Sequence, residues 1–588
     1  MKNNYRLYIF LLLHAILSFL SIRIIDNDYH LIISNLFISV FLYLVSEIIC
    51  NKKLEFKYVN KFLLLYLINL LTEIIIFQLL QIGFLRTQFV SYIMIFTIEL
   101  ILMKKKNYDY EKFIPYLFLL NIAFIFLLSS PNSPIGTTNS LTDSSVFRYI
   151  GLLMTENKIP YLDVFDHKGI FLYFLNYLGC LLNPKYGIWF IELILLFITL
   201  VFSYKTVRIY TNKLNSIIAV LLSYIPLIYT FECGNMTEEL SLPFIVISLY
   251  LFLRDWQSNK SVGNKNAIII GMCCSAVLLL KPNLISLWVC LSIFLFINYL
   301  KNKDYKRLLW LILSFVTGIF IFALPFLIYL IYNGAFNAFI YDYLIFNFTY
   351  SVKHGSVLMI DVISVFLDIS KYVFIILISL ICFSCDKSKR EIALFNIFYL
   401  LVTFFIIVMP KVTYAHYGMN IIPTFLIGFG YLIDYLDKKL LNSINNKKIK
   451  KILILLVFYS VTFADIKHLS EQIKNQISGY NGYYNIENLI KSNSKKDDNV
   501  LVYGNEVILY LKTDRYTKNK YPYQFPISDI SSKVKEEFKN TIKKDKPDLI
   551  IVRKDFNDKM KDNIDFIEGE YHIIEDKDIT YNLYIKNN

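Results

Sequence analysis

Leu308-Leu-Trp-Leu-Ile-Leu-Ser-Phe-Val-Thr-Gly-Ile-Phe-Ile-Phe-Ala-Leu-Pro-Phe-Leu-Ile-Tyr-Leu-Ile-Tyr332 carries no charged side chain. It exceeds the roughly 20 apolar residues that a helix needs to cross a hydrocarbon core about 30 Å thick. Continuous apolar sequence, rather than alternation of apolar and polar residues, indicates a helix and not a barrel strand. Similar runs recur along the chain, 56% of whose residues are hydrophobic, with a mean hydropathy of +0.50. A soluble fold has no interior large enough for that much apolar surface, so the bilayer is the solvent. The runs predict about fifteen spans, the first at 7–25 and the last at 452–466. The chain is expected to be a polytopic α-helical membrane protein.

The formal net charge is +14. Lys and Arg gather in alternate short segments, such as 51–61, 104–112, 301–307 and 438–451. The short loops and span ends on the other side carry only Arg23, Arg86, Lys281, Lys353, Lys371 and Lys411. The bias sets topology and gives no reason to expect a nucleic-acid partner. It predicts a multi-pass protein of the cell membrane with a cytoplasmic N-terminus and an extracytoplasmic C-terminal domain. The run Tyr8–Leu20 reads as a retained first span, because no small-residue cleavage site follows. Gly169–Asn183 is apolar but short. Counting it as a span would invert every later loop, so it is expected to be a re-entrant or interfacial helix.

Three pieces are expected. Residues 1–104 form a four-helix membrane bundle containing Glu73, Gln78 and Glu99. Residues 105–466 form the membrane core, with a long first outer loop at 131–185. Residues 467–588 form a small α/β domain: Val500–Tyr503 and Leu549–Val552 read as strands, Ile530–Lys546 as an amphipathic helix and His572–Ile585 as a hairpin. The eight cysteines show no recurrent metal-ligand spacing, and the C-terminal piece has none.

Polar residues gather on the outer side. The long loop reads Leu141-Thr-Asp-Ser-Ser-Val-Phe-Arg-Tyr149 and Ile159-Pro-Tyr-Leu-Asp-Val-Phe-Asp-His-Lys-Gly169. It supplies Asp143, Arg148, Asp163, Asp166, His167 and Lys168. Val146, Tyr149, Ile150 and Leu153 predict a helix lying on the bilayer from about Asp143. That acid fits either a helix cap or a catalytic acid. Further groups are Cys233-Gly-Asn-Met-Thr-Glu-Glu239, Lys281-Pro-Asn283 and Tyr414-Ala-His-Tyr-Gly418. Glu238 and Glu239 fit a solvated edge as well as a pocket. Lys281 fits a snorkelling lysine, and His416 with Tyr417 fits interfacial packing.

Together these residues resemble the GT-C superfamily of polytopic glycosyltransferases, in its bacterial members related to protein mannosyltransferases and aminoarabinose transferases. The resemblance rests on Thr142–Gly151, Pro160–Gly169, Gly234–Glu239 with Leu242-Pro243, Lys281–Asn283 and His416-Tyr417. Val502–Gly504 and Tyr521–Pro526 also recur after the core in similar proteins. Ile170 departs from the pattern, which usually has Pro after the glycine. The resemblance implies transfer of one sugar from a polyprenyl-phosphate carrier to an envelope glycan, lipid or protein on the outer face. It implies Asp143 as catalytic base, with Asp166 as runner-up. Lys168, Lys281 and Arg148 are candidates to meet the phosphate, and His416, Tyr417, Glu238 and Glu239 the rest of the substrate. Asp163 and His167 belong to the same loop cluster. No cofactor is required; the converging acids suit a divalent cation, though no spacing demands one. The rival reading is a transporter or flippase of lipid-linked glycan, which explains the spans but not the long acidic loop or the appended domain.

Overall fold

A computed structural model describes residues 114–134, 136, 142–232, 234–349, 357–440, 447–478, 482–564, 567–575 and 580–587. The expected N-terminal four-helix bundle lies outside the described residues. Two compact units divide the chain, Met1–Leu117 and Phe118–Asn588.

Six described helices are long and apolar enough to cross a membrane: Gly187–Arg208, Lys213–Thr230, Tyr305–Tyr332, Leu367–Ser384, Arg390–Val408 and Ala415–Lys439. Shorter apolar helices occupy Asn264–Leu278 and Ser286–Lys301. The helix Tyr305–Tyr332 shows what kind of solvent surrounds them. Asp304 caps it, its carboxylate accepting from the Arg307 N–H at 3.3 Å. Leu308, Leu311, Ser314 and Gly318 turn inward, while Leu309, Trp310, Leu313, Phe320, Leu324 and Ile328 stand exposed. Such an apolar outer face is stable in lipid and not in water. The protein is therefore a membrane protein.

Within 131–185 a helix spans Thr142–Thr155, and its predicted stripe of Val146, Tyr149, Ile150 and Leu153 is buried. It packs against the helix Ile170–Leu182. With 13 residues at 1.5 Å each, that second helix is about 20 Å long, shorter than a hydrocarbon core.

The C-terminal segment builds a four-stranded sheet in the order β1-β2-β4-β3 from Val500–Tyr503, Leu549–Arg553, Tyr571–Glu575 and Tyr581–Lys586. β1 and β2 are parallel, with Val500 opposite Leu549; the other pairs are antiparallel. The helix Ser532–Asp545 lies in the β1-to-β2 crossover. Its N-cap Ser531 accepts from the Val534 N–H, Lys543 and Lys544 complement its C-terminal dipole, and Val534, Phe538 and Ile542 are buried.

This segment docks on the polar end of the helical bundle. Tyr510 stacks on Tyr149 at 4.9 Å between ring centroids. The Phe165 N–H donates to the Lys520 carbonyl at 2.7 Å. Lys520 lies 3.6 Å from Asp342, and Lys533 lies 3.6 Å from the Tyr341 ring centroid. Burial raises the Asp342 pKa to about 6, with Lys520 opposing that shift.

Candidate active site

A cavity of about 120 Å³ lies where the 131–185 segment, the bundle end and the α/β segment meet. Its wall includes Asp143, Asp166, His167, Lys168, Thr237, Glu238, Lys281, His416 and Tyr417. Residues up to 382 positions apart in sequence (Asp143 to Phe525) thus line one space. Met236, Tyr414, Asn505, Tyr523 and Phe525 complete it with Val146 and Phe147.

Gly169 explains how two of the groups come together. Its N–H donates to the Leu280 carbonyl at 3.1 Å, and the Phe171 N–H donates to the Leu279 carbonyl at 3.0 Å. A side chain at 169 would place its Cβ only 2.0 Å from the Leu279 oxygen. Glycine therefore lets Lys168 and Lys281 occupy the same wall. Ile170 takes the first position of the following helix, where a proline ring would also fit.

The charged groups divide into paired and unpaired. Asp143, the second residue of its helix, is exposed toward the cavity, and its carboxylate has no hydrogen-bond partner among the described residues. The Lys168 ammonium likewise forms no ion pair there; only its backbone is engaged, donating to the Tyr173 hydroxyl at 3.0 Å and accepting from the Tyr161 hydroxyl at 2.7 Å. Lys281, by contrast, sits 2.7 Å from Glu238 Oε1 and 4.0 Å from the Tyr417 ring centroid. Burial lowers the Lys281 pKa, but the Glu238 carboxylate and Tyr417 more than offset this and leave it above the ordinary lysine value. Glu238 Oε2 accepts from the Thr237 hydroxyl at 2.8 Å.

Asp166 is buried with both oxygens occupied. Oδ2 accepts from the Tyr173 hydroxyl at 2.7 Å and Oδ1 from the Tyr523 hydroxyl at 2.6 Å. His167 Nδ1 lies 2.7 Å from Asn347 Oδ1. The Asn347 amide N–H groups donate to the His167 and Tyr343 carbonyls, so Oδ1 is the acceptor and Nδ1 the donor. Burial, then the neighbouring Lys168, push the His167 pKa down to about 4. His416 stacks on Tyr414, meets the Tyr417 ring edge-on and pairs through Nδ1 with Glu232 Oε2 at 2.9 Å.

Three sequence candidates are absent from the cavity wall. Arg148 bridges its own loop, donating to Asn132 Oδ1 at 3.4 Å and the Lys185 carbonyl at 3.3 Å. Asp163 Oδ2 accepts from the Ile159 N–H at 2.7 Å and so caps a turn. Glu239 is buried beneath the site. The Asn235 N–H donates both to it, at 2.8 Å, and to Glu192, at 2.6 Å. Gly234 and Asn235 both have left-handed backbones, and a Cβ on Gly234 would come within 2.3 Å of Glu192 Oε1. This turn holds Glu239 below while the first helical turn presents Thr237 and Glu238 to the cavity. Among the described residues, no three His, Cys, Asp or Glu side chains converge closely enough to hold a metal ion.

Sequence reasoning assigned no role to Glu232, Asn505, Tyr523 or Phe525. Tyr523 and Phe525 lie in the Tyr521–Pro526 motif, and Glu232 immediately precedes the cluster at 233–239. Asn505 immediately follows the Val502–Gly504 motif.

Residues 104–464 match the family model described as "Putative competence-induced protein Ccs4 N-terminal domain". The chain belongs to this family. No curated protein matches it. Two crystal structures of ArnT from Cupriavidus metallidurans share its fold. The form bound to undecaprenyl phosphate has a TM-score of 0.51 at 12% identity, covering 81% of this chain and 98% of that one. The apo form has a TM-score of 0.52 at 11% identity, covering 80% and 97%. The fold is of the GT-C type.

Proposed function

We propose that this chain is a glycosyltransferase that moves a single sugar from a polyprenyl-phosphate carrier to a cell-envelope acceptor. The reaction takes place on the outer face of the membrane and inverts the anomeric carbon. One observation carries this reading: a carboxylate, Asp143, and an ammonium, Lys168, both without a side-chain partner among the described residues, meet in one cavity at the polar end of an apolar bundle. A carrier tail remains in lipid while its phosphate and sugar enter that space. The ArnT structure with bound undecaprenyl phosphate lends support through its shared fold.

In this mechanism Asp143 accepts the proton of an acceptor hydroxyl. The hydroxyl oxygen bonds to the anomeric carbon as the bond from that carbon to the phosphate oxygen breaks. The leaving phosphate keeps the electron pair, and Lys168 stabilises the charge it gains. Lys281, partly neutralised by Glu238, contributes a weaker field from the same wall. Asp166, held by two phenols, orients Lys168 or the acceptor. His416, fixed by Glu232, and Tyr417 supply hydrogen bonds to the substrate.

The test is an assay of purified protein in lipid with a panel of undecaprenyl-phosphate monosaccharides and extracted envelope acceptors. Release of undecaprenyl phosphate with formation of one glycosidic bond is expected. Movement of intact lipid-linked sugar across the bilayer without bond cleavage would instead establish the transporter reading.

A further inference from the structure

The backbone around Lys168 is held from several directions. Its N–H donates to the Tyr173 hydroxyl and its carbonyl accepts from the Tyr161 hydroxyl, both from the same 131–185 segment. The next N–H, that of Gly169, donates to the Leu280 carbonyl. The His167 carbonyl, which shares a peptide unit with the Lys168 N–H, accepts from Asn347 Nδ2. Asn347 stands 180 positions away in sequence. It lies in a helical stretch at 336–349, shortly after the span Tyr305–Tyr332.

This stretch backs the loop along its length. Phe339 meets Tyr161 edge-on at 5.3 Å between ring centroids. Phe346 lies 5.3 Å from Phe165 and 5.5 Å from His167. The Tyr343 hydroxyl donates to the Leu278 carbonyl, at the end of the helix that leads into Lys281. Leu344, Ile345 and Phe348, on the other side of the stretch, are exposed. Asn347 is the polar member of the inner side. Its Oδ1 accepts from His167 Nδ1 at 2.7 Å, while Nδ2 donates to the Tyr343 carbonyl at 2.7 Å and to the His167 carbonyl. An amide carries two N–H donors and an acceptor oxygen. Here the ring and the carbonyl of a single residue take one of each, which fixes the ring and the peptide plane together. Lysine has a flexible four-carbon stem, so its ammonium is directed only as well as its backbone is fixed.

We propose that Asn347 is a positioning residue: by clamping the ring and carbonyl of His167, it fixes the peptide from which Lys168 reaches the donor phosphate. The inference rests on the reading of Lys168 as the cation that meets that phosphate, and deepens it. Asn347 is not part of the cavity wall; it acts through Lys168.

The experiment is a binding cycle on the full chain in nanodiscs, with bare undecaprenyl phosphate as the probe. Asn347→Ala is expected to weaken binding about 3- to 10-fold when Lys168 is present. It should cost nothing further when Lys168 is replaced by Met, the non-additivity of two groups acting through one contact. A residue that only supports the fold would weaken the probe by the same factor in both backgrounds. That result overturns the proposal, as does no loss with Lys168 present. If Asn347→Ala does not fold, Asn347→Asp takes its place in the cycle. It keeps the shape and the acceptor for His167 Nδ1 but turns an oxygen toward the His167 carbonyl, so a loss confined to the Lys168 protein is again expected, and a loss in both backgrounds or in neither overturns the proposal. Failure of the underlying reading looks different: Lys168→Met alone would bind the probe as tightly as the unaltered protein, which sinks that reading and the proposal together.

Discussion

The segments 163–169 and 234–239 each carry two closely spaced carboxylates, and the fold uses them in opposite ways within each pair. Asp166 and Glu238 line the cavity, while Asp163 caps a turn and Glu239 is buried with Glu192. The two cavity acids also differ in what holds them. Neutral phenols hold Asp166, and a lysine holds Glu238. Spacing along a chain brings acids near a site, but it does not say which oxygen remains free for chemistry. Among the acids that line the cavity, Asp143, which belongs to neither segment, is the one without a hydrogen-bond partner among the described residues.

The strongest way to break this contrast is at Asp143. Asp143→Asn keeps its size while removing the basic oxygen. Turnover is expected to fall by roughly 10²–10⁴, with unaltered donor binding, in a single-turnover transfer assay. Parental turnover would remove Asp143 from the catalytic role and move the search to Asp166.

The two cavity lysines sharpen the comparison. Lys168→Met removes a charge that has no ion pair among the described residues, so donor affinity is expected to fall about 10- to 100-fold with little change in thermal stability. Lys281→Met leaves the buried Glu238 carboxylate without its cation, so the main expected effect is a stability loss of about 3 kcal/mol. Donor titration and thermal unfolding of both variants separate the two behaviours. Equal profiles would mean that pairing does not divide their roles.

His167, in the first segment, gives a pH test. Folding favours its neutral form, because its pKa is pushed down to about 4 from an ordinary value near 6.5. The unfolded chain therefore binds the proton more readily between those values. The contribution is fully present above pH 6.5 and is lost as pH falls toward 4. Between pH 7.5 and 5 this amounts to about 2 kcal/mol. His167→Gln should remove that part of the pH dependence of unfolding. An unchanged dependence would show that other groups set it.

Much of this architecture is legible locally because its physics is local. Leu308–Tyr332 declares a span by apolar length alone, and the stripe Val146, Tyr149, Ile150 and Leu153 declares a helix with one buried face. Val500–Tyr503 and Leu549–Val552 are strands because uninterrupted β-formers end at turn residues. Gathering Asp143, Lys168, Glu238 and Lys281 needed the resemblance as well, since each alone fits a cap, a solvated edge or a snorkelling cation. Pairing was not legible. Whether Asp166 is free depends on Tyr523, 357 residues away in the chain, and whether Lys281 is free depends on Glu238.

The smallest expected effect tests the link between the two halves of the site. Tyr523 reaches from the α/β segment to Asp166 Oδ1 at 2.6 Å, while Tyr173 holds Oδ2 from within the bundle. Tyr523→Phe deletes one hydroxyl and keeps the ring. If Tyr523 positions Asp166, one carboxylate oxygen loses its donor and the group gains freedom to rotate. A hydrogen bond to a charged acceptor exceeds a neutral one, but the vacated site lies beside a cavity that water can enter. The expected loss is therefore about 3- to 10-fold in turnover, smaller than that of Asp143→Asn. A split between kcat and KM distinguishes positioning from mere packing: turnover should fall while the KM for donor stays little changed. Tyr173→Phe should act in the same direction. Turnover unchanged in both variants would leave the phenols as packing groups and remove Asp166 from the catalytic set.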